Sequence, residues 1–298
     1  MNAIELESVS KNYGPVRALD RVSWSVSAGE LLGFLGPNGA GKTTTIRILL
    51  GFMRPTGGRA SVLGMSAWRE STKIRARVGY LPGDVRLYPN LTGEQTIAFV
   101  AKARGRDGGV DAGRLANAFA LDLRQRVRTY STGMRQKLGL ILAMMHRPEL
   151  LIMDEPSSGL DPLMQQVLRQ ELRDVVADGR TVLFSSHSLP EAQHLCERVV
   201  ILREGRLVAA ESIETLRQRA GHRVVVNLSS PVETLPPTPE GLTIDQHSET
   251  RVQGRWRGDI RDLMGWLPRL PLADVVVEAA DLEDLFIDYY GGSGGTTS

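Results

Sequence analysis

The stretch that most constrains this chain is Gly36-Pro37-Asn38-Gly39-Ala40-Gly41-Lys42-Thr43, an eight-residue match to GxxxxGK[ST]. Apolar residues 31–35 precede it and a helix-prone run, 44–50, follows, so the motif has the strand, turn and helix it needs. Glycines at 36, 39 and 41 allow positive φ and close backbone approach. Successive N–H groups and a helix N-terminus can then converge on a polyphosphate. Lys42 would reach the β- and γ-phosphates, and the Thr43 hydroxyl would bind Mg²⁺.

Two later apolar runs end in polar groups. Residues 150–153 lead into Asp154-Glu155, and residues 181–184 into Ser185-Ser186-His187. Continuous rather than alternating hydrophobicity predicts strands buried on both faces, as in a parallel sheet covered by helices. Ligands of such sheets lie at the carboxyl ends of the strands, so the cradle, the acidic pair and His187 can share one site. Asp154 would hold Mg²⁺ and Glu155 would orient or deprotonate an attacking water, although one acid could instead cap a helix. His187 could contact a γ-phosphate or be a hydrogen-bonded core histidine. Ser131, in Tyr130-Ser131-Thr132-Gly133-Met134, stands as an N-cap before a helical run at 135–145. That makes a second anion site, which one nucleotide does not need. The simplest resolution is that it faces the γ-phosphate held by another copy, so hydrolysis would require a dimer.

Elsewhere the pattern predicts strands at 3–10 and 16–26 joined by a turn at 11–15, where Tyr13 could stack on adenine. A loop at 54–58 is followed by strands at 59–63 and 77–82, and residues 92–146 read as helical with an interruption at 104–113. Asp161-Pro162 opens a helix to about 177 with Gly179 beyond its end. A helix at 189–197 precedes a hairpin of 199–202 and 206–210. Near 215 the pattern changes. Strands at 223–228, 251–257 and 274–278, a Pro-rich connection at 229–241 and helices at 259–267 and 281–290 describe a small α+β domain whose core would include Trp256, Trp266 and Phe286. The expected divisions are 1–215, 216–290 and a Gly-rich, disordered tail, 291–298.

Composition removes other classes. A formal charge of +2 gives no electrostatic footprint for nucleic acid. One cysteine, Cys196, excludes an internal disulfide and falls in the helix expected at 189–197, where its expected role is helix packing, with a reactive thiol as the alternative. Residues 1–10 alternate apolar and polar and have no signal-peptide core, and no apolar run approaches the ~18 residues of a membrane span. Any membrane role would be borrowed from another chain.

Taken together, these motifs resemble the ATP-binding subunit of an ABC transporter. Residues 36–43 match its Walker A motif, 150–154 its Walker B strand, Glu155 its catalytic glutamate, and Ser158-Gly159-Leu160-Asp161 its D-loop. Tyr13 falls at the adenine-stacking position and His187 at the switch histidine. Residues 130–134 are similar to the family signature, keeping Ser131 and Gly133, with Thr132 for the usual Gly and Met134 for the usual Gln. The resemblance implies an α/β P-loop NTPase of ABC type, with a parallel core sheet, an antiparallel β subdomain and a helical signature subdomain. It implies ATP and Mg²⁺ as ligands. Tyr13, residues 36–43, Thr44, Ser131, Gly133 and Asp161 would hold nucleotide; Lys42, Glu155 and His187 would be catalytic; Thr43 and Asp154 would hold the metal. The usual Gln after the 77–82 strand is replaced by Gly83-Asp84, and Asp84 is assigned the metal-side contact because a carboxylate suits Mg²⁺.

The appendage, with Leu282-Glu283-Asp284-Leu285-Phe286, is similar to the C-terminal domain of bacterial exporter ATPase subunits. The implied partners are an integral-membrane permease subunit, docking along 85–103, and a second copy or a paralogue, with no nucleic acid. The implied location is peripheral, on the cytoplasmic face of the cell membrane. The alternative is a soluble ABC ATPase outside transport, whose translation-factor relatives usually carry two cradles in one chain.

Overall fold

The computed structural model describes residues 1–105 and 109–279. The chain divides into two compact units, Met1–Ala210 and one that opens at Glu211.

The first unit contains two sheets. β3 (Leu31–Leu35), β6 (Val78–Leu81), β7 (Leu150–Asp154), β8 (Thr181–Ser186), β9 (Arg198–Arg203) and β10 (Arg206–Ser212) form a sheet of order β10-β9-β3-β8-β7-β6. The contacts of β3 with β8 and β9, and of β7 with β6 and β8, are parallel. Every residue of β3, β7 and β8 is buried, which is why their sequences run apolar without alternation. β1 (Asn2–Tyr13), β2 (Val16–Ser27), β4 (Gly57–Val62) and β5 (Met65–Ser66) form the second sheet, antiparallel and ordered β2-β1-β4-β5. The turn expected at 11–15 is shorter: Lys11 and Asn12 pair with Leu19 and Arg17, and Tyr13 pairs with Val16 across Gly14-Pro15. Gly14, at φ +56°, supplies the reversal, so two residues suffice where five were expected.

α1 (Lys42–Leu49) and α6 (Pro162–Ala177) belong to the core, Asp161 capping α6 ahead of Pro162. α2 (Ser71–Arg77), which was not expected, leads into β6 with Ile74 as its buried residue. The helical stretch resolves into α3 (Gly93–Arg104), α4 (Gly109–Ala118) and α5 (Thr132–Met144). α3 ends on Gly105 in the left-handed region, and α4 has begun by Gly109, so the interruption is narrower than 104–113. A second break, 119–131, holds a 3₁₀ turn at Val127–Thr129. α7 (Leu189–Gln193) stops short of the expected 197. Cys196 therefore sits between α7 and β9, packed in the notch left by Gly33, rather than within a helix.

The second unit contains α8 (Ile213–Ala220), β11 (His222–Leu228), β12 (Leu242–Ser248), β13 (Arg251–Trp256), α9 (Ile260–Trp266) and β14 (Leu272–Ala279). Its antiparallel sheet is ordered β12-β13-β11-β14. Val224, Val226, Val252, Trp256, Leu263 and Trp266 form its core. The expected helix at 281–290, Phe286, the Leu282–Phe286 similarity and the tail at 291–298 lie outside the described residues. Among the described residues no helix is long and apolar enough to cross a membrane.

Candidate nucleotide site

The cradle sits between β3 and α1, at the carboxyl end of the parallel sheet. Gly41 has φ +107°, and a Cβ there would lie 2.8 Å from the Ala18 carbonyl oxygen and 2.7 Å from Leu19 Cδ2. Only glycine satisfies both the conformation and the space. The next residue, Lys42, is 6% exposed, and its Nζ donates to the carbonyls of Gly36 and Pro37. Burial lowers the Lys42 pKa, while Glu155 and Asp154 oppose that shift.

Two acids close the other side. Asp154, the last residue of β7, is 5% exposed and accepts from Thr43 Oγ1 at 3.0 Å through Oδ2 and from Ser185 Oγ through Oδ1. Glu155 follows with φ +52°. Its Oε2 lies 2.8 Å from His187 Nδ1, and its Oε1, buried and without a hydrogen bond, lies 3.7 Å from Lys42 Nζ. The His187 side chain is 66% exposed, which answers the core-histidine alternative.

A cleft of about 330 Å³ is lined by Ala18, Gly83 and the predicted residues Pro37, Asn38, Gly39, Gly41, Lys42, Thr43, Thr44, Asp154 and Glu155. Gly36 turns its carbonyl to Lys42, and Ala40 is buried behind the loop. The oxygens of Thr43 and Asp154 are hard donors of the kind Mg²⁺ takes, so the residues fit that ion.

The remaining predicted residues lie outside the cleft lining. Tyr13 is exposed at the end of β1, its hydroxyl 2.8 Å from Met53 Sδ and its ring centre 5.4 Å from Lys11 Nζ. Ser131 caps α5 by accepting from Met134 N at 3.2 Å. Gly133 packs so closely on the 158–161 turn that a Cβ would meet the Gly159 oxygen at 2.6 Å. Asp161 uses Oδ1 to cap α6, 2.9 Å from Met164 N. Asp84 is drawn to Arg86 Nε at 2.7 Å, both side chains largely exposed. Gly83, one residue earlier, lies against the Asp154 carboxylate.

Two further residues act on the site. Ser185 binds the Asp154 carboxylate and lies 3.3 Å from Glu155 N; as the polar end of an apolar strand it carried a visible signal. Gln136 donates to the carbonyls of Glu155 and Pro156 at 3.2 and 2.9 Å. Between Arg135 and Lys137 it reads as a solvated position, and nothing local marks it as buried.

Residues 19–158 match the family described as ABC transporter. The probable multidrug ABC transporter ATP-binding protein YbhF of Escherichia coli is 36% identical over 227 residues, 74% of this chain. The chain spans only 39% of YbhF's length. The linearmycin resistance ATP-binding protein LnrL of Bacillus subtilis is 32% identical over 76% of this chain and 74% of its own length. A solved ATP-binding subunit of an ABC transporter superposes with a TM-score of 0.68 at 32% identity, covering 73% of this chain and 92% of that one. The dimeric post-hydrolysis ATP-binding cassette MJ0796, bound to ADP and Pi, gives 0.63 at 26%, covering 70% and 98%. Because its identity to LnrL extends over most of both chains, and its cleft carries the nucleotide cradle and acidic pair on an ABC fold, this chain belongs to the ATP-binding proteins of ABC transporters.

Proposed function

We propose that this chain binds Mg-ATP and hydrolyses it within a head-to-tail dimer, driving export through a separate integral-membrane subunit at the cytoplasmic face of the cell membrane. The observation that carries the proposal is the convergence of Lys42, Thr43, Asp154 and Glu155 on one cleft. Lys42 would exchange its bonds to the Gly36 and Pro37 carbonyls for phosphate oxygens, a stronger set of acceptors for a buried cation. Thr43 and Asp154 would hold Mg²⁺, which neutralises charge developing on the transferred phosphoryl group. Glu155 would orient the attacking water through Oε1, the atom without a hydrogen bond, and His187 would leave Glu155 to contact the γ-phosphate. Asp84, paired with Arg86, would exchange that partner for the metal.

Ser131 and Gly133 would face the nucleotide of the opposing subunit, a second copy or a paralogue, and Asp161 would lie at the same interface. Tyr13 would stack on adenine. The membrane subunit would dock along 85–103, where Tyr88 and Phe99 are exposed and meet edge to face at 5.4 Å. The likeness to YbhF, a probable multidrug ABC transporter ATP-binding protein, and to LnrL, a linearmycin resistance ATP-binding protein, favours export over a soluble ATPase outside transport. The second unit, 216–290 in the sequence reading, would modulate dimerisation or turnover.

The test is ATP hydrolysis by the wild type and Glu155→Gln, with dimer content followed in Mg-ATP. Turnover that disappears in the variant, with an ATP-bound dimer accumulating, is expected. Equal turnover in both proteins overturns the role of Glu155.

A further inference from the structure

Glu155 projects its carboxylate from a backbone at φ +52°, in the left-handed region that residues with side chains rarely enter. Such a conformation persists where its surroundings over-determine it. Here they do so from both sides of the residue. On one side, Glu155 N donates to the Ser185 carbonyl at 3.1 Å, with Ser185 Oγ at 3.3 Å. On the other, Gln136 Nε2 holds the Glu155 oxygen at 3.2 Å and the Pro156 oxygen at 2.9 Å. Both partners are carbonyls, so the amide must present its nitrogen to them. Gln136 is 6% exposed and lies on α5, the helix capped by Ser131. It touches none of the cradle residues by hydrogen bond.

We infer that Gln136 is a positioning residue for Glu155: its amide holds two successive carbonyls and thereby fixes the left-handed backbone that aims the carboxylate. The inference rests on the ATPase reading above. Without the two donated bonds, the Glu155 carbonyl keeps only Ser158 N, at 3.2 Å, and the Pro156 carbonyl loses its Gln136 donor, so the peptide after Glu155 is held less firmly and the carboxylate moves off the water it orients. A displacement of that kind lowers turnover steeply. Nucleotide affinity, set by the loop between β3 and α1, is left alone.

The experiment compares full-length wild type, Glu155→Gln and Gln136→Met, the last keeping side-chain volume but donating nothing. Steady-state ATP hydrolysis is measured together with hydrogen exchange of the backbone amides over 155–160. The expected result is a kcat for Gln136→Met lowered by up to ~100-fold with KM for ATP essentially unchanged, and faster exchange over 155–160. Wild-type kcat and exchange in Gln136→Met overturn the inference, as does a loss of kcat matched by a rise in KM and a general loss of stability. If Gln136→Met does not fold, Gln136→Asn, whose amide is one methylene short of the carbonyls, is measured in its place. Failure of both to fold assigns Gln136 to stability and overturns the positioning role. Turnover retained in Glu155→Gln overturns the assignment of Glu155 itself, whereas turnover lost there but kept in Gln136→Met overturns positioning alone.

Discussion

At the scale of single residues, the acidic pair and Cys196 show what burial does to an ionisable group in opposite circumstances. Asp154 is buried with two hydroxyl donors on its carboxylate, so its charge is met. Cys196 is buried in the notch at Gly33, and desolvation, with the charges of Glu191 and Glu30, pushes its thiol well above the ordinary value of 9.0. A group whose folded pKa is raised gives its full stabilisation below the unfolded pKa and loses it as pH rises through the folded one. Wild type should therefore lose melting temperature between pH 8 and 10.5 more steeply than Cys196→Ala, the two curves converging toward alkaline pH. Parallel curves would show that the thiolate is not excluded. The residues of the site were unequally legible for related reasons. Lys42, Thr43, Asp154 and Glu155 announce themselves because a phosphate site needs them at fixed places around strand ends. Gln136 does not, because its contact is with carbonyls that are distant in sequence and appear only when α5 meets the end of β7. Asp84 was assigned from chemistry and proximity in sequence, but a neighbouring Arg86 supplies a competing partner that the same stretch contains.

At the scale of elements, β6 packs tightly on the C-terminal end of α5. A Cβ on Gly79 would lie 2.1 Å from the Ala143 carbonyl oxygen and 2.8 Å from Pro148 Cγ. Because the first obstacle is backbone, side-chain rearrangement cannot relieve it. Gly79→Ala should cost at least the ~1–3 kcal/mol typical of overpacking, read as a lower urea midpoint at unchanged m. A wild-type midpoint would mean that α5 is not anchored at this point. Burial also decides which elements are legible in the sequence. β7 and β8 are buried on both faces, so their identity is written in continuous apolar sequence. In α2, Ile74 is the buried residue, and in β12 it is Leu242; charged and polar neighbours hide the period in both. Their form comes from the strands they join, β6 for the first and β13 for the second.

For the whole molecule, the organising fact is that, among the described residues, a hydrophobic cluster of the first unit and one of the second share no residue. One gathers Ile4, Phe34, Ile46, Leu150, Ile152 and Val200 across the two sheets of the first unit; the other gathers Val226, Trp256, Leu263 and Trp266 in the second. Trp256 is fully buried, with its indole N–H satisfied by the Gly258 carbonyl at 3.0 Å. Removing it should cost the second unit ~3–5 kcal/mol, a large share of the stability of a domain that size. Separate cores predict separate responses. In calorimetry, Trp256→Ala should lower one transition and leave the other, together with the nucleotide-dependent shift of that other transition, where it stands in wild type. A single transition that moves as a whole would mean that the units unfold as one cooperative body and that the second unit contributes stability to the nucleotide site. The sequence change near 215 was legible because the residues of each core are contiguous along the chain. Because Trp256 lies in a core whose residues all belong to the second unit, Trp256→Ala is the cleanest way to ask whether turnover depends on that unit.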